Sequence, residues 1–209
     1  MFTRLIDYIS RFCHRVASWL CLLIVIITTQ QVIARYFFSA SSIAIQELEW
    51  HAFGLMIMLS VAWTWRQNAH VRVDIFYSRW TERRRAAIDI FGILFFALPT
   101  FVILIVYGWS YAAESLTFTN TTLPNPWSQA WFPKESMWYA VMSHVESFMR
   151  TTILQGEASP DPGGLPGRWL IKASIPLAGI LLLSQALCQL PEKLQQFKSS
   201  GVTSRSNSR

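Results

Sequence analysis

Four apolar stretches set the pattern of the chain, at about residues 16–36, 45–66, 88–113 and 168–190. A bilayer core is about 30 Å thick and requires about 20 residues of α-helix to cross it. The pattern therefore predicts an all-α membrane protein with four transmembrane helices. The second stretch is the weakest, because Glu47 and Glu49 lie near its start. Pro99 and Pro176 lie inside the third and fourth stretches, where membrane helices tolerate proline, and Pro191 is predicted to end the fourth.

Basic residues flank these stretches asymmetrically, and such residues favour the cytoplasmic side of a membrane. Three segments are rich in them, namely the N-terminus, the connection after the second stretch and the C-terminal tail. The connection FFSASSIAIQ, after the first stretch, has none. With four spans, all three basic segments fall on one side, so both termini are predicted to be cytoplasmic.

The long connection at residues 114–167 is then a periplasmic loop, and the whole chain, 1–209, is a single membrane domain. Within the loop, the segment PKESMWYAVMSHVESFMR has apolar residues at helical spacing, with serines on the other face. It is too short and too polar to span. The spacing predicts an amphipathic helix between spans three and four, which lies in the outer interface or packs on a partner. A disordered cytoplasmic tail is predicted at about 195–209.

Composition agrees with a membrane protein, since 52% of the residues are hydrophobic and only 14% are charged. The net charge of +6 comes mainly from the flanks of the apolar stretches, which favours a lipid bilayer as partner and argues against nucleic acid. The three cysteines form no CxxC pair, so neither a disulfide framework nor a thiol redox centre is indicated.

The sequence also lacks the residue sets that membrane chemistry needs. It has no glycine-rich phosphate loop with its lysine, and no paired histidines within spans that would hold a haem. The predicted spans have no ionisable residue near mid-membrane, where transport sites are found. We therefore predict that the chain is not an enzyme, and that it has no catalytic, substrate-binding or metal-binding residues and no cofactor of its own.

Several charged residues lie instead at the predicted boundaries of the spans. Arg35 ends the first span, and Glu47 and Glu49 open the second on the same side. One interpretation is that they anchor the spans to lipid headgroups. The other is that Arg35 pairs with one glutamate while the second glutamate faces a partner protein. Lys172, with Trp169 beside it, is expected to snorkel to the outer interface at the start of the fourth span.

The segment NAHVRVDIF, at residues 68–76, places His70 and Asp74 four positions apart on the cytoplasmic side. One histidine and one aspartate are too few ligands for a metal site. Two interpretations remain. Either the valines dip into the interface while Arg72 meets anionic headgroups, or His70 and Asp74 share one face of a short helix and hold the loop against a partner subunit.

Four motifs in order resemble one family. They are QVIARYFF ending the first span, QELEW opening the second, HVRVDIFYSRW after the second, and GGLPGRWLIKASIPLAGILLLSQAL at the fourth. Together they are similar to the small membrane subunit, of the DctQ type, of tripartite ATP-independent periplasmic (TRAP) transporters. The resemblance covers about residues 20–190. It departs in the outer loop, where residues 123–152 are a longer insertion than the family's simplest members carry.

The resemblance implies a small, non-catalytic scaffold subunit of a binding-protein-dependent importer in the bacterial inner membrane. Its partners would be a large multi-span membrane subunit of the DctM type and a periplasmic substrate-binding protein of the DctP type. Import of organic acids such as carboxylates would be driven by an ion gradient, with sodium bound by the large subunit. The candidate structural or subunit-interface residues are then Arg35, Glu47, Glu49, His70, Asp74, Trp169 and Lys172. The alternative is a self-sufficient small oligomeric membrane transporter or channel.

Overall fold

The computed structural model describes residues 2–67, 79–118 and 135–206, and within these ranges the secondary structure is entirely helical. Five helices occur there, which we number in chain order. They are α1 (Phe2–Phe38), α2 (Ile43–Arg66), α3 (Glu82–Thr117), α4 (Met137–Thr152) and α5 (Trp169–Ser206). The predicted all-α class is therefore confirmed for the described part of the chain.

Each of the first three predicted spans lies inside one long helix, and the fourth does so except for its first residue, 168, which precedes α5. Three of these helices are long and apolar enough to cross a membrane, over Thr3–Phe38, Glu82–Thr117 and Trp169–Ser199. The fourth, α2, has 24 residues and contains two acidic residues, Glu47 and Glu49, in its second turn. Two statements stay predictions: α2 also spans the membrane, and both termini are cytoplasmic.

Helix α3 contains one wide, π-helical turn at Ile93–Ala97. The turn lies directly before Pro99, which has no backbone N–H and whose ring would clash with the carbonyl of Phe95 in a regular α-helix. A π-turn removes this clash by shifting the hydrogen-bond register by one residue. The turn also brings Phe91 and Phe95 into a stacked pair with ring centroids 4.7 Å apart.

Helix α5 differs from its prediction at the C-terminal end. Pro191 was expected to end the span, and the residues from about 195 were expected to be disordered, but the helix contains Pro191 and continues to Ser206. A proline costs the helix only one backbone hydrogen bond and a kink. The helix-favouring sequence EKLQQFK after Pro191 then continues it.

The chain divides into two compact units, which are considered separately. The first unit comprises Met1–Trp19, Met56–Tyr107 and Ile175–Arg209. Its core contains Ile93, Ala97 and Phe101 of α3 against Leu182 and Ala186 of α5. Gly179 of α5 lets α3 approach closely, since a Cβ at this position would lie 2.9 Å from the side chain of Ile105. Small residues have this role where membrane helices pack.

The second unit comprises Leu20–Leu55 and Gly108–Ser174, and therefore contains α4 and the residues that join it to α5. The α1–α2 turn is closed by Gln31, which donates from Nε2 to the backbone oxygen of Ser42 at 3.1 Å. Gly54 of α2 packs on Ile171 of α5, where an added Cβ would lie 3.3 Å from the isoleucine side chain.

Helix α4 confirms the amphipathic helix predicted in the long loop. Ser136 caps it, and its hydroxyl accepts from the backbone N–H of Trp138 at 3.2 Å. Its apolar face is turned outward, with Met137 and Phe148 more than 60% exposed, whereas Glu146 is buried and pairs with Arg150 at 2.7 Å. An apolar face that points away from the chain is typical of a helix that contacts lipid or another protein.

Candidate functional site

The second unit has a buried ionic cluster around Glu47. This residue lies near the start of α2 and is only 4% exposed. Its Oε1 accepts from Ser159 Oγ at 2.5 Å and from Arg168 Nη2 at 3.0 Å. Its Oε2 accepts from the backbone N–H of Leu165 at 2.5 Å. We call these four residues the Glu47 cluster. A buried carboxylate is stable only when paired in this way, so the loop between α4 and α5 is held on α2.

Two glycines make this approach possible. A Cβ at Gly164 would lie 2.8 Å from Glu47 Oε2 and 2.4 Å from the side chain of Ser159, so only glycine fits beside the carboxylate. Gly167 has φ +76°, which favours glycine, and turns the chain so that Arg168 reaches Glu47. The GGLPGRW part of the motif thus has a physical explanation: it bends the loop around Glu47.

A second ion pair lies next in the loop and involves α3. Glu157 Oε2 accepts from Ser115 Oγ at 2.8 Å and pairs with Lys172 of α5. The hydrogen bond from Lys172 holds the pKa of the Glu157 carboxyl below its ordinary value, against the opposing effect of burial and with further help from Ser115. The ammonium group of Lys172 also lies 4.1 Å from the ring centroid of Tyr111. We call Ser115, Glu157 and Lys172 the Glu157 cluster.

Backbone bonds connect the two clusters. The N–H of Glu157 donates to the oxygen of Ser115 at 2.8 Å, and the N–H of Arg168 donates to the oxygen of Glu157 at 2.9 Å. Trp169 Nε1 donates to the oxygen of Ile153, at the end of α4, at 3.0 Å. One short loop therefore ties together the ends of α2, α3, α4 and α5 within the second unit.

A cavity of about 630 Å³ opens beside the Glu157 cluster, and Arg168 and Lys172 contribute to its lining. Both cations are already paired with carboxylates, namely Glu47 and Glu157. Their charges are therefore already balanced within the chain, which weakens the attraction of the cavity for an anion. The arrangement thus favours a structural role for the two cations over capture of an anionic solute.

The first unit contains a separate polar network centred on Arg66, the last residue of α2. Its guanidinium binds Glu192 of α5 through two bonds, of 2.7 and 3.0 Å, and lies 3.2 Å from Asp7 of α1. Gln185 of α5 is fully buried and donates from Nε2 to Ser10 Oγ at 2.9 Å and to Asp7 Oδ1 at 3.3 Å. We call these five residues the Arg66 network.

This network was not predicted from the sequence, although α5 contains a pattern that indicates it. Gln185 and Gln189 are four residues apart, which places two amides on one face of an otherwise apolar helix. Gln189 donates to the backbone oxygen of Trp65 at 3.3 Å, and Lys193, one turn further, pairs with Asp89 at 2.7 Å. Polar residues at this spacing in a span indicate a helix–helix contact.

The predicted site residues have different outcomes. Glu47, Trp169 and Lys172 meet in the two clusters and their loop, although Lys172 is paired rather than free to snorkel. Arg35 is exposed and pairs with neither glutamate in the described residues, because Arg168 takes Glu47, and Glu49 accepts from Thr28 instead. The hypothesis of an Arg35–glutamate pair is therefore wrong. His70 and Asp74 lie outside the described residues, so their role stays a prediction.

In the described residues, no group of three or more His, Cys, Asp or Glu side chains is arranged to hold a metal ion. The polar groups identified above bind one another across helices. The two clusters and the Arg66 network thus stabilise the fold, because each joins segments that are distant in the chain.

Comparison with protein families gives one match. A family model described as "Tripartite ATP-independent periplasmic transporters, DctQ component" matches residues 24–142, which is more than half of the chain. The matched region includes Glu47 and Ser115, while the loop residues that bind them and helix α5 lie beyond it. A comparison with curated proteins gives no match. This multi-pass membrane chain belongs to the DctQ family of components of tripartite ATP-independent periplasmic transporters.

Proposed function

We propose that the chain is the small, non-catalytic scaffold subunit of an ion-gradient-driven, binding-protein-dependent TRAP importer in the bacterial inner membrane. Its partners are a large multi-span subunit of the DctM type and a periplasmic substrate-binding protein of the DctP type. The cargo is an organic acid such as a carboxylate, and sodium binds to the large subunit.

The observation that supports a scaffold role most directly is the Glu47 cluster. It uses a buried carboxylate, a hydroxyl, a backbone N–H and a guanidinium to fix one loop on α2 and α5. Breaking a buried ion pair of this kind costs several kcal/mol, so the second unit resists opening. A transport site needs the opposite property, namely an element with two discrete arrangements.

The charge distribution of the two clusters also supports a scaffold role. Arg168 and Lys172, the cations beside the cavity, are each held by a carboxylate of the same chain. A chain that neutralises its own cations leaves the binding of an anionic cargo to a partner. The exposed apolar faces of the long helices, which include Phe95 and Phe96 of α3 and Trp109 further along it, are then available to lipid and to the large subunit.

Reconstitution tests this proposal. The chain, the large subunit and the binding protein are placed in liposomes together, or with one component omitted, and uptake of a panel of labelled carboxylates is followed under a sodium gradient. We expect uptake only when all three are present, and none by the chain alone. Solute flux through the purified chain, or undiminished uptake in its absence, would contradict the proposal.

A further inference from the structure

The cavity beside the Glu157 cluster lies where two long uncharged segments of the chain end. The segment Ile90–Ala113 has no charged residue, and Glu114 directly after it lines the cavity. The segment Ala173–Pro191 is likewise uncharged, and Lys172 directly before it lines the cavity too. As helices these segments are about 36 Å and about 29 Å long, close to the ~30 Å of a bilayer core. The cavity is therefore at a border between apolar and charged chain, where phospholipids present their headgroups.

The charges around the cavity leave one carboxylate without a partner. Glu157 pairs with Lys172. Arg168 pairs with Glu47, which lies outside the lining. Glu114 is exposed and forms no ion pair in the described residues. It lies in the last turn of α3, which has no basic residue and whose helix dipole favours a cation. A ligand that suits the cavity therefore brings a positive group to Glu114.

The two cations of the lining retain N–H groups to donate, although their charges are balanced. Among the described residues, Arg168 donates to Glu47 from Nη2 alone, and a guanidinium has five N–H groups. Lys172 donates to Glu157, and an ammonium group has three N–H groups. A phosphate that brings its own counter-charge can accept from these remaining donors while both ion pairs persist.

Aromatic rings form another part of the lining. Tyr111 already has the ammonium group of Lys172 at 4.1 Å from its ring centroid. Phe118 is exposed, and the face of an aromatic ring attracts a further organic cation. The volume of about 630 Å³ falls within the range of about 300–1,000 Å³ that is usual for small-molecule sites. The cavity thus has the space and the wall for an organic ammonium group.

We infer that this cavity binds the zwitterionic headgroup of a phospholipid, with its primary ammonium at Glu114 and its phosphate at Lys172 and Arg168. Phosphatidylethanolamine has both groups. The quaternary ammonium of phosphatidylcholine has no N–H to donate to the Glu114 carboxylate. Phosphatidylglycerol has a phosphate but no cation, so the unpaired carboxylate repels it. The inference goes beyond the proposed function, because it concerns the lipid around the chain and not the cargo.

Lipid titration of the purified full-length chain tests the class of ligand. The chain in detergent is titrated with phosphatidylethanolamine, phosphatidylcholine or phosphatidylglycerol of identical acyl chains, and bound lipid is counted by native mass spectrometry. We expect phosphatidylethanolamine to bind about 5-fold or more tightly than either of the others, since only it makes the hydrogen bond to Glu114. Equal affinity for the three lipids, or a preference for phosphatidylglycerol, would overturn the inference.

Substitution of Glu114 tests where the ammonium binds. Glu114→Gln should weaken the binding of phosphatidylethanolamine about 10-fold, because it removes a hydrogen bond between two charged groups. Glu114→Asp keeps the carboxylate and should retain more of the affinity. Glu135→Gln is the matched control, since Glu135 is an exposed acidic residue outside the lining, and it should leave the affinity unchanged. Equal losses for Glu114→Gln and Glu135→Gln, or no loss for either, would show that the site is wrong.

A soluble headgroup distinguishes a phospholipid from a free zwitterion. Glycerophosphoethanolamine has the same ammonium and phosphate but no acyl chains. We expect it to displace phosphatidylethanolamine only in large excess, because the acyl chains add apolar contact with the chain. Displacement at equal concentration would mean that the cavity binds the free zwitterion, and a phospholipid would then not be its occupant.

Discussion

The Oε1 atom of Glu47 and the Nη2 atom of Arg168 lie 3.0 Å apart, although 121 residues separate the two in the chain. The glutamate is almost fully buried, whereas the arginine side chain is 20% exposed. The pair therefore shields a carboxylate that has little access to water, and the cation completes a site that Ser159 and Leu165 begin.

Arg168→Met leaves Glu47 buried with no cation. We expect it to lower the free energy of unfolding by about 3 kcal/mol, which corresponds to a fall of about 6–12 °C in the Tm of the chain in detergent micelles. The double variant Glu47→Gln/Arg168→Met removes both charges and should recover part of the loss. Arg35→Met is the matched control, since Arg35 is exposed and unpaired in the described residues, and its Tm should stay near that of the wild type.

Gly164→Ala tests the fit of the loop against Glu47. The new Cβ would lie within 3 Å of both the Glu47 carboxylate and the Ser159 side chain, so the loop must shift, at a cost of about 1–3 kcal/mol. Gly92→Ala in α3 is the control, because no heavy atom lies within 4 Å of its added Cβ and alanine favours a helix. Thermal unfolding should show a lower Tm for Gly164→Ala and an equal or higher one for Gly92→Ala; equal values for both would contradict the loop geometry.

The Glu157 pair makes part of the stability dependent on pH. The pKa of the Glu157 carboxyl is lowered in the folded chain, chiefly by the hydrogen bond from Lys172, relative to an unfolded value of about 4.3. A group with a lowered pKa stabilises the fold above the unfolded value, and this contribution is lost as the pH falls through the folded value. The difference in Tm between the wild type and Glu157→Gln should therefore be constant above about pH 5 and shrink below about pH 4.

The control for this pH series is Glu114→Gln, at an exposed position next to Ser115 in the chain. Glu114 has no ion pair in the described residues, so its substitution should produce a small difference in Tm at every pH. A pH-independent difference for Glu157→Gln would show that its ion pair does not stabilise the loop.

Gln185→Leu tests the Arg66 network. It removes the donor to Ser10 and Asp7 in a fully buried place, and an orphaned buried polar group costs about 1–3 kcal/mol. The double variant Ser10→Ala/Gln185→Leu removes both partners of the Ser10 bond and should be less destabilised than Gln185→Leu alone. Chemical unfolding of the wild type, Ser10→Ala, Gln185→Leu and the double variant measures this coupling, and additive losses would rule it out.

The helices were predictable from sequence because each depends on a local pattern. Long apolar runs predict α1, α3 and α5, and helical spacing around Trp138 and Val145 predicts α4. The same local reasoning placed the end of α5 too early at Pro191, since it treated a proline as a helix terminator where the helix tolerates a kink.

The partners of the charged residues were less predictable, because they depend on how distant segments meet. Sequence reasoning marked Glu47 and Glu49, and one of its two interpretations paired one of them with Arg35. The true partner of Glu47 depends on the left-handed turn at Gly167 and on the space left by Gly164. The Arg66 network was missed for a similar reason, since Asp7 and Glu192 lie outside the predicted spans and their contact follows only from helix packing.

The separation of Glu47 from Arg168 also has a consequence for how the chain is made. After Glu47, a further 121 residues must be added up to and including Arg168, which takes about 6–24 s at the usual rates of ~5–20 residues per second. Until Arg168 has been made, the carboxylate of α2 lacks its cation. The nascent chain is therefore vulnerable until the last helix arrives, and truncation before residue 168 leaves a protein that quality-control proteases should remove.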